Sequence, residues 1–133
     1  MRVADLMQTD IRTAREDITL ADAIVTFVDS HVYGVPVTDR YDRLIGVLSI
    51  TDILEAAAEC TSAEDRNNLF DRTLVSELMT LHPKSISGDT DVREAARELV
   101  RCGVHRLFVV EREELVGVIS QSDIVRAVAS SYI

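Results

Sequence analysis

The chain has 133 residues, of which 47% are hydrophobic and 28% are charged, and this composition predicts a compact folded domain with a packed core. The 23 acidic residues outnumber the 14 basic ones, so the formal charge of −9 at pH 7 makes a nucleic-acid partner unfavourable. No apolar run is long enough to span a bilayer, and the first residues lack a secretory signal, so we expect no membrane partner and a cytoplasmic location.

One pattern occurs twice along the chain. A shift of 72 residues aligns residues 3–39 with 75–111, and a shift of 71 aligns residues 44–58 with 115–129. Sixteen of these aligned positions are identical, against about three expected by chance. The sequence therefore predicts a tandem duplication, with a first repeat at 1–60, a linker at 61–73 and a second repeat at 74–133.

Both copies predict the same elements in the same order. Each opens on a short apolar turn and continues into a helix, whose start has the spacing of a capping box at Thr19 and Asp22 or at Asp91 and Glu94. Apolar residues at helical spacing then predict the core faces, which are Leu20, Ala23, Ile24, Phe27 and Val28 in the first copy and Val92, Ala95, Ala96, Leu99 and Val100 in the second.

A hairpin and a second helix complete each copy. Two β-rich runs joined by a few polar residues predict hairpins within 35–48 and 107–119, and helices follow at Asp52–Ala58 and Asp123–Ala129. About 60 residues bury little surface alone, so we expect the two copies to share a core. The fold class predicted is α/β (α+β), with the repeats packed in pseudo-twofold symmetry and two equivalent clefts between them.

The residue patterns typical of catalysis and metal binding are absent. The chain has no Gly-rich phosphate loop and no nucleophile elbow, and its three histidines are scattered. Cys60 and Cys102 lie far apart, with no metal-ligand spacing around them. We therefore expect no enzymatic activity, no metal site and no disulfide.

A Gly-x-x-Ser-x-x-Asp string stands at the predicted strand-to-helix junction of each copy, as Gly46, Ser49 and Asp52 and again as Gly117, Ser120 and Asp123. One interpretation is structural, because Ser and Asp at this spacing form a capping box. The other is functional: a helix N-terminus and a hydroxyl favour a phosphate, and a carboxylate can accept hydrogen bonds from the two hydroxyls of a ribose.

The duplicated unit resembles a tandem pair of cystathionine β-synthase (CBS) domains. The resemblance is carried by Val-x-Asp/Glu-Leu-Met at the start of each copy, by Gly-Val-Pro-Val-Thr-Asp or Gly-Val-His-Arg-Leu-Phe-Val-Val in its middle, and by the two Gly-x-x-Ser-x-x-Asp strings at its end. It implies a β-α-β-β-α unit, sheets that pair the two units, and clefts that bind adenosine compounds. It also favours the functional interpretation of the string.

The resemblance implies particular ligand contacts. Asp52 and Asp123 would hold ribose, and Ser49, Thr51, Ser120 and Ser122 would lie near the phosphate. In the family's crossed arrangement, the segment before the first helix of one copy lines the cleft that carries the other copy's Asp. That arrangement places Thr9, Ile11 and Arg12 with Asp123, and Leu81, Pro83 and Lys84 with Asp52.

His105 and Arg106 belong to a Val-His-Arg-Leu-x-Val-Val segment, which is similar to the nucleotide-contacting segment in the gamma subunit of AMP-activated protein kinase. Without this resemblance, the better interpretation would be ordinary polar residues at a strand edge. As ligand contacts, Arg106 would give phosphate a permanently charged donor and His105 a pH-dependent one. Tyr33 and Gly34 stand at the matching positions of the first copy, so we expect the Asp123 cleft to bind more tightly.

Two functions follow from these observations. The first is a regulatory module that binds an adenine nucleotide, with or without Mg²⁺, and signals to a partner protein. The alternative is a structural dimerisation module without a ligand. The helix residues Ile53, Leu54, Ala57, Val125 and Val128 are either core or an exposed apolar surface, and the resemblance favours a homodimer formed through these helices.

Overall fold

The computed structural model describes residues 1–30 and 34–130, without the side chains of residues 28–30. The described elements, in chain order, are α1 (Val3–Leu6), β1 (Ala14–Arg15), α2 (Leu20–Ser30), β2 (Gly34–Thr38), β3 (Leu44–Ser49), α3 (Ile50–Ala58), α4 (Ala63–Arg72), α5 (Val75–Leu78), β4 (Thr80–Leu81), β5 (Ser85–Ile86), α6 (Val92–Cys102), β6 (Arg106–Glu111), β7 (Glu114–Ser120) and α7 (Gln121–Ala129).

The chain forms two compact units whose limits differ from those of the repeats. The central unit contains residues 12–83, and the terminal unit contains residues 1–11 together with 84–133. Each unit thus combines the main part of one repeat with the opening segment of the other.

The central unit is built on a four-stranded sheet in the order β1-β2-β3-β4. Strand β1 runs parallel to β2, whereas β3 is antiparallel to both β2 and β4. Helices α2 and α3 supply core residues such as Leu20 and Ile53, which pack against sheet residues such as Leu48. Val75, from the opening motif of the second repeat, is fully buried in this core.

The terminal unit has a three-stranded sheet in the order β5-β6-β7. Its core joins Leu99 and Ile124 of α6 and α7 to sheet residues such as Leu107 and Ile119. Val3, from the opening motif of the first repeat, is fully buried here. Both units therefore contain the order β-α-β-β-α, and the predicted mixed α and β fold class is confirmed.

Two glycines allow the opening segments to approach the sheets. A Cβ on Gly46 would lie 2.7 Å from Met79 Sδ and 2.9 Å from the Thr80 carbonyl oxygen. A Cβ on Gly117 would lie 2.5 Å from Met7 Sδ. The Leu-Met motif of each copy therefore packs on the Gly of the other copy's Gly-x-x-Ser-x-x-Asp string, which gives a physical reason why both motifs are duplicated.

The predicted hairpins and second helices are confirmed to within two residues at each end. Residues 61–73, predicted as a linker, contain α4, which Ser62 caps through its hydroxyl and the Asp65 amide at 3.0 Å. Its Leu69 and Phe70 pack against the central core. A low apolar content therefore does not prevent a helix here, because two apolar residues at its end suffice to anchor it.

The helices place three of the predicted side chains in clearly different environments. The prediction that Val100 belongs to the core face of α6 was wrong, because its side chain is 81% exposed while Val92, Ala95 and Leu99 fill that face. Ile53 lies in the core and not on the surface. Asp91 caps α6 through the amide of Arg93 at 2.8 Å.

Candidate functional site

The Gly-x-x-Ser-x-x-Asp strings form capping boxes at two helix N-termini. In the central unit, Ser49 Oγ accepts a hydrogen bond from the Asp52 amide at 3.0 Å, and Asp52 Oδ2 accepts one from the Ser49 amide at 2.9 Å. In the terminal unit, the matching Ser120 and Asp123 bonds are 3.2 and 2.9 Å long. The structural interpretation of the strings is therefore correct.

The capping box leaves some hydrogen-bonding groups of these Ser and Asp residues available for other contacts. The hydroxyl of Ser49 or Ser120 uses a lone pair in the cap and keeps its proton for an outside acceptor. The second carboxylate oxygen, Oδ1, takes no part in the cap. Each helix N-terminus can therefore present a hydroxyl donor, the positive end of the helix dipole and a carboxylate oxygen to one ligand.

The hairpin of the terminal unit places Arg106 beside its cap, because Arg106 pairs with Ser120 in the β6–β7 register. The side chain is half-buried, and its guanidinium lies 5.6 Å from the centre of the Phe108 ring. Burial lowers the pKa of Arg106, but from so high a value that the group stays charged at neutral pH. In the central unit Gly34, which has no side chain, pairs with Ser49.

Asp123 makes two further contacts through Oδ1. Gln8 Nε2 donates to this atom at 3.2 Å, and Arg126 donates to it at 2.7 Å. Gln8 is held in place by paired backbone bonds to Val118, at 2.8 and 2.9 Å. The Asp123 side chain is 5% exposed, so little of it is left open to water.

Asp52 has a different environment. Its side chain is half-buried, and within the described part of the chain its Oδ1 has no hydrogen-bond donor. Thr80 and Glu55 stand at the positions that match Gln8 and Arg126. The two caps share their backbone geometry but differ in how far the carboxylate is already engaged.

The structure divides the other predicted site residues between the two units. The central unit contains Thr51, Pro83 and, in β4, Leu81. Thr51 is exposed and Pro83 is half-buried. The terminal unit contains Thr9, Ile11, Ser122 and His105, and the His105 carbonyl accepts a hydrogen bond from the Gln121 amide at 2.9 Å. Tyr33 lies outside the described residues.

The basic residues predicted to complete the clefts fall across the boundary between the units. Arg12 belongs to the central unit and Lys84 to the terminal unit, whereas their expected carboxylates, Asp123 and Asp52, belong to the opposite units. Both basic side chains are exposed. Their approach to a ligand stays a prediction.

Gln8 and Arg126 were not predicted as site residues. Arg126 had a sequence signal, because an Asp and an Arg three positions apart on a helix can form an ion pair. No sequence pattern around Gln8 predicted its contact with Asp123. Its role depends on the pairing of an N-terminal segment with a strand more than 100 residues later.

Other features of the described residues do not compete with this site. No group of three or more His, Cys, Asp or Glu residues suited to a metal is found among them, and none of their helices is long and apolar enough to cross a membrane. A cavity of about 480 Å³ lies at the far end of the β2–β3 hairpin from Ser49, near Arg15, Asp39 and Arg43. Asp39 accepts hydrogen bonds there from the Arg43 side chain and two backbone amides.

Comparison with known proteins places most of the chain in one family. The CBS domain model matches residues 3–59 and 75–130. The chain is 27% identical to the uncharacterized protein MJ1225 of Methanocaldococcus jannaschii, over 98% of its own length and 44% of that protein. It is 32% identical to 5'-AMP-activated protein kinase subunit gamma-3 of Sus scrofa, over 92% of its own length and 24% of that protein.

A solved structure gives the same assignment. CBSX2 in complex with AMP superposes with a TM-score of 0.81 and is 27% identical, with 99% of this chain and 98% of that chain covered. The chain spans about half the length of the curated relatives it matches. The duplicated motifs, the two β-α-β-β-α units and the match to the family model over both repeats together show that the chain belongs to the CBS domain family, as a tandem pair.

Proposed function

We propose that the chain is a non-catalytic regulatory module that binds an adenine nucleotide at the capped N-termini of α3 and α7. Asp52 and Asp123 accept hydrogen bonds from the ribose hydroxyls, while Ser49, Thr51, Ser120 and Ser122 lie near the phosphate. Binding shifts the conformational equilibrium of the pair and thereby signals to a partner protein in the cytoplasm. Such a signal requires that the ligand favour one conformation over another.

The observation that supports this proposal most is the repeated carboxylate at a helix N-terminus, in a chain that superposes on an AMP complex of CBSX2. The Asp52 cap has a hydroxyl donor and a carboxylate oxygen that the described residues do not use. A ribose phosphate offers the complementary groups, a diol donor and an anion.

The phosphate needs cations, because the chain carries a charge of −9. Arg106 supplies one at the terminal-unit site, and Arg12 and Lys84 are proposed to supply others. We propose Mg²⁺ as a companion ion only for ADP or ATP, whose added charge the acidic chain would repel.

A thermal-shift panel tests the proposal. Adenosine, AMP, ADP, ATP and S-adenosylmethionine are added in turn, with and without Mg²⁺. A ligand at about 100 times its Kd should add about 2.7 kcal/mol to the free energy of unfolding and raise the Tm. If no ligand in the panel raises the Tm, the chain is better described as a dimerisation module.

Arg106→Ala should weaken AMP binding about tenfold and leave adenosine binding nearly unchanged, because the guanidinium has an anionic partner only in AMP. Calorimetric titration of both ligands into both proteins measures the difference. An equal loss for adenosine and AMP would assign Arg106 to packing, for instance against Phe108.

We also propose a homodimer formed through α3 and α7. Leu54, Val125 and Val128 on these helices are 64%, 65% and 54% exposed, which is unusual for large apolar side chains. Ala57 is half-buried and contributes less.

The double variant Leu54→Glu, Val125→Glu should weaken the dimer by more than tenfold, because carboxylates would be buried without partners. Light scattering after size-exclusion chromatography gives the molar mass. Val100→Glu is the control, since Val100 is exposed on α6 and should not affect assembly. A monomeric wild-type protein, or a double variant that keeps the wild-type mass, would contradict the dimer.

A further inference from the structure

We infer that Arg126 competes with the ligand for Asp123 and thereby makes the terminal-unit site weaker than its ribose-binding residues alone would allow. The inference rests on the proposed function and specifies how one of its two sites is controlled. It acts against the ranking expected from the sequence, in which His105 and Arg106 favour the Asp123 site.

The Asp123 carboxylate can accept only a limited number of hydrogen bonds. An ionised carboxylate has about four lone pairs that can accept hydrogen bonds. The folded chain already uses three at Asp123, through the Ser120 amide, Gln8 and Arg126. A ribose diol brings two donors, so at least one internal bond must break before both hydroxyls can bind.

Of the three donors, Arg126 can leave most easily. The Ser120 amide is fixed by the capping box, and Gln8 is held by backbone pairing with Val118. The Arg126 side chain is 69% exposed and can rotate into solvent without any change in the backbone. Arg126 also makes the shortest of the three contacts and carries the charge, so its departure removes the strongest competitor.

The approach to Asp123 supports this role. Asp123 and Arg126 both line a cavity of about 220 Å³, with Leu6, Ala127 and Ser130 forming other parts of its wall. A ligand hydroxyl that enters this cavity to bind Asp123 finds the Arg126 guanidinium already bound to that carboxylate.

The central unit provides the natural comparison. Only one of the four lone pairs of Asp52 is used by the described residues, in the bond from the Ser49 amide. The residue that matches Arg126 is Glu55, which repels a carboxylate and cannot compete for it. Asp52 is therefore ready for a diol, whereas Asp123 must first release Arg126.

The test uses the full chain and adenosine, which has the diol but no phosphate that Arg126 could attract. Asp52→Asn removes the first carboxylate and leaves the Asp123 site to be measured. Adding Arg126→Gln in this background should tighten adenosine binding about two- to tenfold, the range expected for a charged hydrogen bond between a buried group and an exposed one. In the Asp123→Asn background, Glu55→Arg should weaken adenosine binding by a similar factor.

Arg97→Gln is the matched control. Arg97 pairs with Glu94 on α6 at 3.3 Å, again three positions apart, and has no contact with Asp123, so its loss should leave adenosine binding unchanged. Unchanged or weaker adenosine binding in the Arg126→Gln variant would overturn the inference, while continued adenosine binding by the wild type would leave the proposed function intact. If the wild type binds neither adenosine nor AMP, it is the proposed function that fails.

Discussion

Residues 12–83 should fold on their own, whereas residues 1–72, a fragment of the same length, should not. The first fragment contains the whole central unit. The second contains the first repeat and α4 but lacks Val75, Met79 and β4, which complete the core and the sheet. Losing large buried side chains costs about 2 to 5 kcal/mol each, against a total stability of about 5 to 15 kcal/mol for a domain.

Circular dichroism and thermal melts of the two fragments measure the difference. Residues 12–83 should show a cooperative transition, and residues 1–72 a broad one or none. Because both fragments have 72 residues, chain length cannot explain the contrast. A cooperative transition in residues 1–72 alone would contradict the exchange of opening segments between the repeats.

Changing both carboxylates to amides, in the variant Asp52→Asn, Asp123→Asn, should weaken AMP binding about tenfold to a hundredfold. The loss corresponds to about 1.5 to 3 kcal/mol for a charge-assisted hydrogen bond. Asparagine keeps a carbonyl oxygen that can accept the bond from the Ser49 or Ser120 amide, so the caps and the Tm should be nearly preserved. Alanine would also remove the helix cap, so a loss of ligand binding could not be separated from a loss of stability.

Two comparisons make this experiment specific. The wild type should bind 2′,3′-dideoxyadenosine monophosphate more weakly than AMP, and the double variant should not distinguish them, because the missing hydroxyls are the partners of the carboxylates. Asp65→Asn is the control, since Ser62 and Asp65 have the same spacing at the N-terminus of α4 but belong to neither duplicated string. An equal loss of both ligands in the double variant would show that the carboxylates do not contact the ribose.

The elements were predictable from the sequence because their signals are local. Two β-rich runs joined by a few polar residues mark each hairpin, and the spacing of Ser49 and Asp52 marks both the helix start and its cap. The duplication doubled each signal, so a pattern that is weak in one copy is supported by the other. Val100 shows the limit: its spacing fits the core face, but α6 buries a narrower stripe.

The features that could not be predicted from local sequence patterns depend on residues far apart in the chain. No local pattern indicates that Val3 joins a core formed by residues after 84, or that Gln8 reaches Asp123. The resemblance implied this exchange of segments, and the covering of Gly46 and Gly117 by the two methionines explains it physically. The pairing of Arg126 with Asp123 was not predicted, although an Asp and an Arg three positions apart on one helix are a local signal.

The most direct test of a ribonucleotide site at these carboxylates is a calorimetric titration of AMP into the wild-type chain and into the variant Asp52→Asn, Asp123→Asn. We expect saturable binding to the wild type, with up to two AMP molecules per chain, and affinity at least tenfold lower in the variant. Absence of saturable binding to the wild type, or equal affinity in the two proteins, would contradict a ribonucleotide site built on these two carboxylates.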